Sequence, residues 1–215
     1  MGFGDQYWQT LLPSYLRGNA REDLISALDQ FKPQGRKDIS YDRFFKDFGH
    51  PYFMQGDLVL DIRTSHWIPE TREYSRVYTN AIILSNSCDL FVENKRQVNS
   101  KQCLFAPLVK LSSYMEELSA AGYSPEQLEE FKRNLKSQLL SNIFYIPELG
   151  GKIDEQIALL DHVFWYPIDE LKALVESIGE DRITSLNQFG YYLFVLKLSY
   201  HFCRLPEQCD RELTA

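Results

Sequence analysis

Cys88 and Asp89 close a run of five small or polar residues, Ser85-Asn86-Ser87-Cys88-Asp89. A thiol beside a carboxylate is a potential nucleophile, but a reactive cysteine needs a histidine or a positive field to form thiolate at neutral pH. The four histidines, His50, His66, His162 and His201, all lie far from it in sequence. The residue types therefore favour a structural loop, in which Asp89 accepts backbone amides and Cys88 packs as a small hydrophobe. Recognition of a ligand by the loop ranks second and a Cys88 nucleophile last. Asp161-His162 is a second acid–base pair, but adjacent residues of a strand face opposite ways, so a structural histidine is favoured. His201, Cys203 and Cys209 match no common zinc spacing. The chain has no glycine-rich phosphate loop, no His-Glu-x-x-His and no Gly-x-Ser-x-Gly. No metal or cofactor is expected.

A different chemistry is offered by Arg63, Arg72, Arg76, Lys95, Arg96 and Lys101 together with Trp67 and Tyr78. Cations interleaved with aromatic rings are the ingredients of an RNA-binding face. Loops are ordinarily charged, so a solvated surface is the favoured reading. The formal net charge of −7 argues against a general nucleic-acid binder. Between Asp57 and Lys110, however, seven Lys/Arg stand against six Asp/Glu, a local net of +1, which leaves −8 for the remainder.

At 215 residues and 44% hydrophobic content, the chain can bury a proper core without cross-links. Cys88, Cys103, Cys203 and Cys209 form no Cys-x-x-Cys pair and are expected to be reduced thiols. No apolar run approaches the roughly 20 residues that span a bilayer. The N-terminus lacks the pattern of a signal peptide, and Gln6 spoils a myristoylation site. A cytoplasmic protein is the expectation.

The polar run must be delivered by the apolar run before it, Ala81-Ile82-Ile83-Leu84, which reads as the end of a buried strand from Val77. Leu58–Ile62 and Gln102–Val109 read as further strands, the latter with Pro107 at an edge or bulge. Ile143–Ile146 and Ile157–Trp165 complete the set, with His66–Thr71 and Phe91–Ser100 as loops. Apolar spacing predicts helical structure from Tyr7 to Leu16, broken at Pro13, and from Asn19 to Phe31. A short helix is predicted within 38–55. Ser112 or Ser113 can cap a helix to Gly122, and Ser124-Pro125-Glu126-Gln127 opens the next. Asp169 can cap a short helix through Ile178, and Ser185-Leu186-Asn187-Gln188 reads as the capping box of a final helix to Cys203.

Gly56-Asp57-Leu58-Val59, Ala81-Ile82-Ile83-Leu84-Ser85 and Phe105-Ala106-Pro107-Leu108-Val109, in that order, resemble the PemK/MazF-like family. Its members are small SH3-like barrels, many of them toxin endoribonucleases of toxin–antitoxin modules. The string Leu84-Ser85-Asn86-Ser87-Cys88-Asp89-Leu90 is similar to that of a larger branch found in bacterial and phage proteins, as are Arg182-Ile183-Thr184-Ser185-Leu186 and Arg204. The resemblance spans roughly 55–205. It implies an α+β fold with an SH3-like barrel core, a helical insertion at 112–141 and helical N- and C-terminal elements. The implied domains are a helical extension (1–50), the barrel domain (51–205) and a flexible tail (206–215).

The chain departs from the family where its catalysis resides. The family's Arg–Pro pair falls on Thr79-Asn80, and the hydroxyl expected after the Val-Pro-type step is absent until Ser112. The resemblance thus implies a catalytically divergent interaction module of a toxin–antitoxin, mobile-element or phage-defence system. Its expected partners are another protein, RNA or a second copy of the chain, with no membrane role. Ser85, Asn86, Ser87, Cys88, Asp89, Trp67 and Arg96 are the expected binding residues. The alternative is a toxin-like endoribonuclease with Arg76 stabilising phosphate, Asp89 as base and Ser112 in a lesser role.

Overall fold

Ala81-Ile82-Ile83-Leu84 is apolar at every position because both faces of its strand are covered. Ala81 and Ile83 join one buried cluster, Ile82 and Leu84 another. The computed structural model describes residues 19–29, 39–42, 44–50, 52–90, 102–175 and 182–203. In chain order these form α1 (Asn19–Asp29), β1 (Phe45–Lys46), β2 (Leu58–Ile68), β3 (Glu73–Ile83), the single turn α2 (Ser87–Leu90), β4 (Gln102–Lys110), α3 (Leu111–Ala120) and α4 (Pro125–Lys136). They continue with β5 (Ile143–Ile146), β6 (Gln156–Leu159), β7 (Phe164–Pro167), α5 (Ile168–Val175), β8 (Arg182–Leu186) and α6 (Gln188–Cys203). The predicted helical segment at 7–16, the loop at 91–100 and the tail at 206–215 lie outside the described residues.

The α+β mixture is as expected, but the SH3-like barrel is not formed. The strands make one antiparallel sheet in the order β1-β8-β2-β3-β4-β6-β5, with β7 also on β4, and among the described residues no pairing joins its ends. The physical reason lies in β2. Asp61 takes a left-handed φ of 48°, and the β2–β3 register shifts between Val59 and Ile62, the signature of a bulge. Among the described residues, pairing of β2 with β8 reaches no further than Val59. Beyond the bulge, among the described residues, β2 pairs with β3 alone and β7 with β4 alone. Arg63 of β2 instead reaches Glu170 of α5, the helix that follows β7, through an ion pair.

β4 is the central strand. Its residues 105–107 pair with β3, while residues 102–105 pair with β7 and residues 108–110 with β6. Pro107 has no N–H to donate and sits where one partner gives way to the other, so it occupies an interior strand at little cost. The Ile157–Trp165 run, predicted as one strand, is split there: β6 ends at Leu159 and β7 begins at Phe164.

Three buried clusters cover the sheet. One gathers Phe44, Leu58, Ile82, Phe144, Leu193 and Phe194 beneath α6, against which α1 packs. A second gathers Val59, Ile62, Ile83, Phe105, Tyr166 and Leu171. The third lies under α3 and α4, with Leu111, Leu135, Ile143 and Ile157. Gly56 adopts φ +87°, and a Cβ there would meet Leu186 at 3.1 Å. A side chain would therefore be both strained and crowded.

Other local readings change. The helix predicted within 38–55 is replaced in the described residues by β1 and irregular chain around it. The predicted loop His66–Thr71 is half strand, since β2 runs to Ile68 and β3 starts at Glu73 instead of Val77. Ser185 does not cap the last helix. Arg182–Leu186 is β8, paired to β1 and β2, and Asn187 caps α6 by accepting from the Gly190 N–H at 2.7 Å. α3 starts at Leu111 without a side-chain cap, whereas Ser124 and Gln127 form the predicted capping box of α4. No helix among the described residues is long and apolar enough to cross a membrane.

One polar knot joins the third cluster to α6. Gln138, buried and at φ 56°, extends its side-chain amide along Tyr145 as a strand would. Its Oε1 accepts from the Tyr145 N–H at 3.2 Å and its Nε2 donates to the Tyr145 carbonyl at 2.9 Å. Its own carbonyl accepts from Lys197 Nζ at 2.6 Å. Lys197 is 1% exposed, and burial lowers its pKa from 10.5 to about 7. Tyr41 donates to the Lys136 carbonyl at 2.7 Å, and burial pushes its phenol well above the ordinary value.

Because the folded state lowers the Lys197 pKa, the unfolded chain binds more protons between about pH 7 and 10.5, and stability rises with pH across that window. Lys197→Met is expected to flatten this rise in urea midpoints measured at neutral and mildly alkaline pH. An unchanged slope would show that the lysine is not the group responsible. Gln138→Ala, which orphans two buried backbone groups, is expected to cost roughly 2–4 kcal/mol in the same measurement.

Candidate functional site

Beyond the Asp61 bulge, β2 and β3 leave the core as a two-stranded ribbon. Its register sets Arg63 opposite Tyr78, Ser65 opposite Arg76 and Trp67 opposite Tyr74. Residues directly opposite one another share a face, and residues two apart along a strand share it too. Tyr74, Arg76 and Tyr78 therefore line up on one face, with Tyr74 72% and Tyr78 69% exposed. A soluble surface seldom leaves such large rings together in water.

β7 supplies the opposing wall. Phe105 stacks on Phe164 with centroids 5.7 Å apart and meets Tyr166 edge-on at 5.9 Å, which fixes the strand. The alternation that buries Tyr166 turns Trp165 outward, 59% exposed. Between ribbon and β7 lies a cleft of about 670 Å³, lined by Arg63, Ser65, Tyr74, Arg76, Trp165 and Glu170 among others. Arg63 meets the Glu170 carboxylate through two hydrogen bonds of 3.0 and 3.1 Å. Both groups are half exposed, so the pair orients more than it stabilises. Arg76 has no ion-pair partner among the described residues. Burial, and then the Glu170 carboxylate, push the Tyr166 phenol up. Cys103 donates its thiol to the Tyr166 carbonyl at 3.3 Å, and burial pushes that thiol up to about 12, which leaves it unreactive. What this cleft offers a ligand is aromatic surface, a cation uncompensated among the described residues, and strand backbone.

The polar run 85–89 is a joint. Ser85 Oγ accepts from the Leu104 N–H and Ser87 Oγ from the Gln55 N–H, both at 2.9 Å. Asn86 Oδ1 accepts from the Cys88 N–H at 2.9 Å and opens α2. Gln55 donates to the Leu84 carbonyl at 2.7 Å and accepts from the Tyr191 hydroxyl at 3.2 Å. Met54 N–H donates to Asp57 Oδ2 at 2.9 Å. The run thus ties the end of β3 to β4, to the turn before β2 and, through Gln55, to α6. Asn86, Cys88 and Asp89 are its exposed members.

The other residues singled out from the sequence are dispersed. Arg76 lines the cleft. Asp89 follows the far end of β3, whose seven residue steps from Arg76 to Ile83 span about 23 Å. Ser112 is exposed in the first turn of α3, beyond the end of β4. The structure does not bring these three together. Ser85, Asn86, Ser87, Cys88 and Asp89 are together in the joint, and Trp67 lies in β2 opposite Tyr74. Arg96, with Lys95 and Lys101, lies outside the described residues. Asp161 and His162 sit in the turn between β6 and β7, where Asp161 accepts from Asn142 Nδ2 at 3.0 Å. Among the described residues no group of three or more His, Cys, Asp or Glu could hold a metal ion. Tyr74, Trp165 and Glu170 went unmarked in the sequence. The alternation Tyr74-Ser75-Arg76-Val77-Tyr78 was the signal for the first of them.

Compared with models of known families and with curated proteins, the chain matches none. The resemblance to the PemK/MazF-like family is therefore not upheld, since its short motifs occur here in an open sheet without a family match. The toxin–antitoxin and phage-defence settings and the RNA-binding role attached to it lose their basis.

If the 85–89 run is a joint, Ser85→Ala and Ser87→Ala each orphan a backbone N–H and are expected to cost about 1 kcal/mol in denaturant unfolding. Cys88→Ala is expected to change stability by less than about 0.5 kcal/mol. The reverse order would mean that the hydroxyls do not hold the joint.

Proposed function

We propose that the chain is a protein-interaction module that grips an extended segment of a partner in the cleft between the β2–β3 ribbon and β7. The observation that carries this is the convergence of Tyr74, Trp165 and Arg76, which has no ion-pair partner among the described residues, on one cleft, with Tyr78 beside them. Tyr, Trp and Arg are the residues that dominate binding energy at protein interfaces, because each offers a large contact area at small entropic cost. The volume of about 670 Å³ suits several side chains of a linear segment. The net charge of −7 disfavours a polyanion, whose affinity would rest on many phosphate contacts.

Arg76 sets the chemistry of the segment. Glu170 already answers Arg63, so the remaining cation calls for a carboxylate. The distant acidic residues do not reverse this, because at physiological salt charges more than roughly 8 Å apart are largely screened. The partner segment is therefore acidic, with an apolar or aromatic neighbour to lie against Trp165 and Tyr74.

Panning a phage-displayed random peptide library on the purified protein tests this. The wild type is expected to enrich peptides with Asp or Glu beside an apolar residue, and Arg76→Glu is expected to switch the enrichment to Lys or Arg. Trp165→Ala is expected to weaken a selected peptide at least about tenfold. No enrichment over an unrelated protein, or enrichment indifferent to both substitutions, overturns the reading.

A further inference from the structure

The cleft touches Arg63, Thr64 and Ser65 in succession on β2, and Phe164, Trp165, Tyr166 and Pro167 in succession on β7. Consecutive residues of a strand point to opposite faces. A cavity that meets them all must run along the strand edges, where main-chain N–H and C=O groups lie. Among the described residues β2 has no ladder partner on its outer edge beyond Val59, and β7 has none on the edge away from β4. The open edge of β2, Arg63 to Ile68, is six residues long.

Natural edges are usually blunted by lysine, proline or a bulge. Here the bulge at Asp61 lies before the open stretch and Pro69 follows it. Between them Arg63-Thr64-Ser65-His66-Trp67-Ile68 has neither lysine nor proline, and Thr, Trp and Ile are good strand formers. The small residue is placed with consequence: Ser65 stands opposite Arg76. A guest strand beside β2 would lie two strand spacings from β3, about 9.6 Å. The Arg76 side chain can cross a serine to reach it, where a larger residue at 65 would intervene.

We infer that the partner segment binds by strand addition: it pairs its backbone with the free edge of β2 at Arg63–Ile68, places a carboxylate level with Ser65 to meet Arg76, and is closed over by Trp165 from β7. This rests on the proposed interaction function and specifies its geometry. Main-chain pairing supplies affinity and alternate side-chain positions supply selectivity, as in other strand-addition complexes. The guest fills part of the gap that leaves the sheet open.

The probe is an acidic peptide selected on the wild-type protein, resynthesised as a series with one backbone amide N-methylated at a time. Strand addition to one edge predicts a period of two. Methylation of every second amide is expected to weaken binding about tenfold or more, and methylation of the intervening ones to have little effect. Amide hydrogen exchange of the intact protein supplies the second measurement. Amides within Arg63–Ile68 that exchange freely without the peptide are expected to slow at alternate positions when it binds. A peptide that binds and depends on Arg76, yet shows a flat methylation series and no new protection on β2, overturns strand addition and leaves the interaction function standing. Failure to select any peptide overturns both.

Discussion

Everything in this sheet depends on how β4 shares its backbone. One nine-residue strand serves three others, and Pro107 marks where its outer edge changes hands. A proline in the middle of a sheet ordinarily costs a ladder bond. Here the missing donor coincides with a gap between partners, so the constraint becomes a divider. On one side of it β6 and β5 continue the sheet under α3 and α4. On the other, β7 has a single strand neighbour among the described residues. The cleft exists because that strand and the outward run of β2 face one another without pairing.

Polar side chains make the connections that ladders do not. Gln138 offers Tyr145 both halves of a peptide bond, and Ser85 and Ser87 do the work of backbone carbonyls toward Leu104 and Gln55. Each sits where the chain turns too sharply for regular pairing, and a buried backbone N–H without a partner is costly. Lys197 belongs to the same group, with its Nζ donating to the carbonyl of Gln138 at the left-handed turn. Such knots are local and specific, and they tie the frame from which the β2–β3 ribbon extends.

The apolar cores were legible because periodicity reports burial directly. Ala81–Leu84 reads as a strand covered on both faces, and it is one. The capping box at Ser124 was legible because it is a local reciprocal bond. The same signature at Ser185 misled, because β1 and β2 claim that stretch as strand and leave Asn187 to cap the helix. Closure into a barrel was not legible at all. It turns on one residue, Asp61, whose left-handed backbone shifts the register, and nothing in the residue types around it announces a bulge. The candidate site was half legible. Arg63, Arg76 and Tyr78 drew notice as cations with an aromatic residue, but Trp165 read as the end of a buried run, because the break between β6 and β7 is visible only in how each pairs with β4, on either side of Pro107.

The open edge has an energetic logic. An extended segment loses backbone freedom when it binds, about 1–2 kcal/mol for each residue fixed, and must recover this from contacts made at once. A strand edge already held straight by β3 has no ordering cost of its own, so the whole entropic burden falls on the guest. Rings such as Tyr74 and Trp165 suit that situation because they have few rotors to freeze. Arg76 has more freedom to lose, and its charge is best used where the geometry leaves one approach open, over Ser65. Replacing that serine by a bulky residue while keeping both rings would separate these contributions, since the aromatic contacts would persist while the path of the guanidinium to the guest would close.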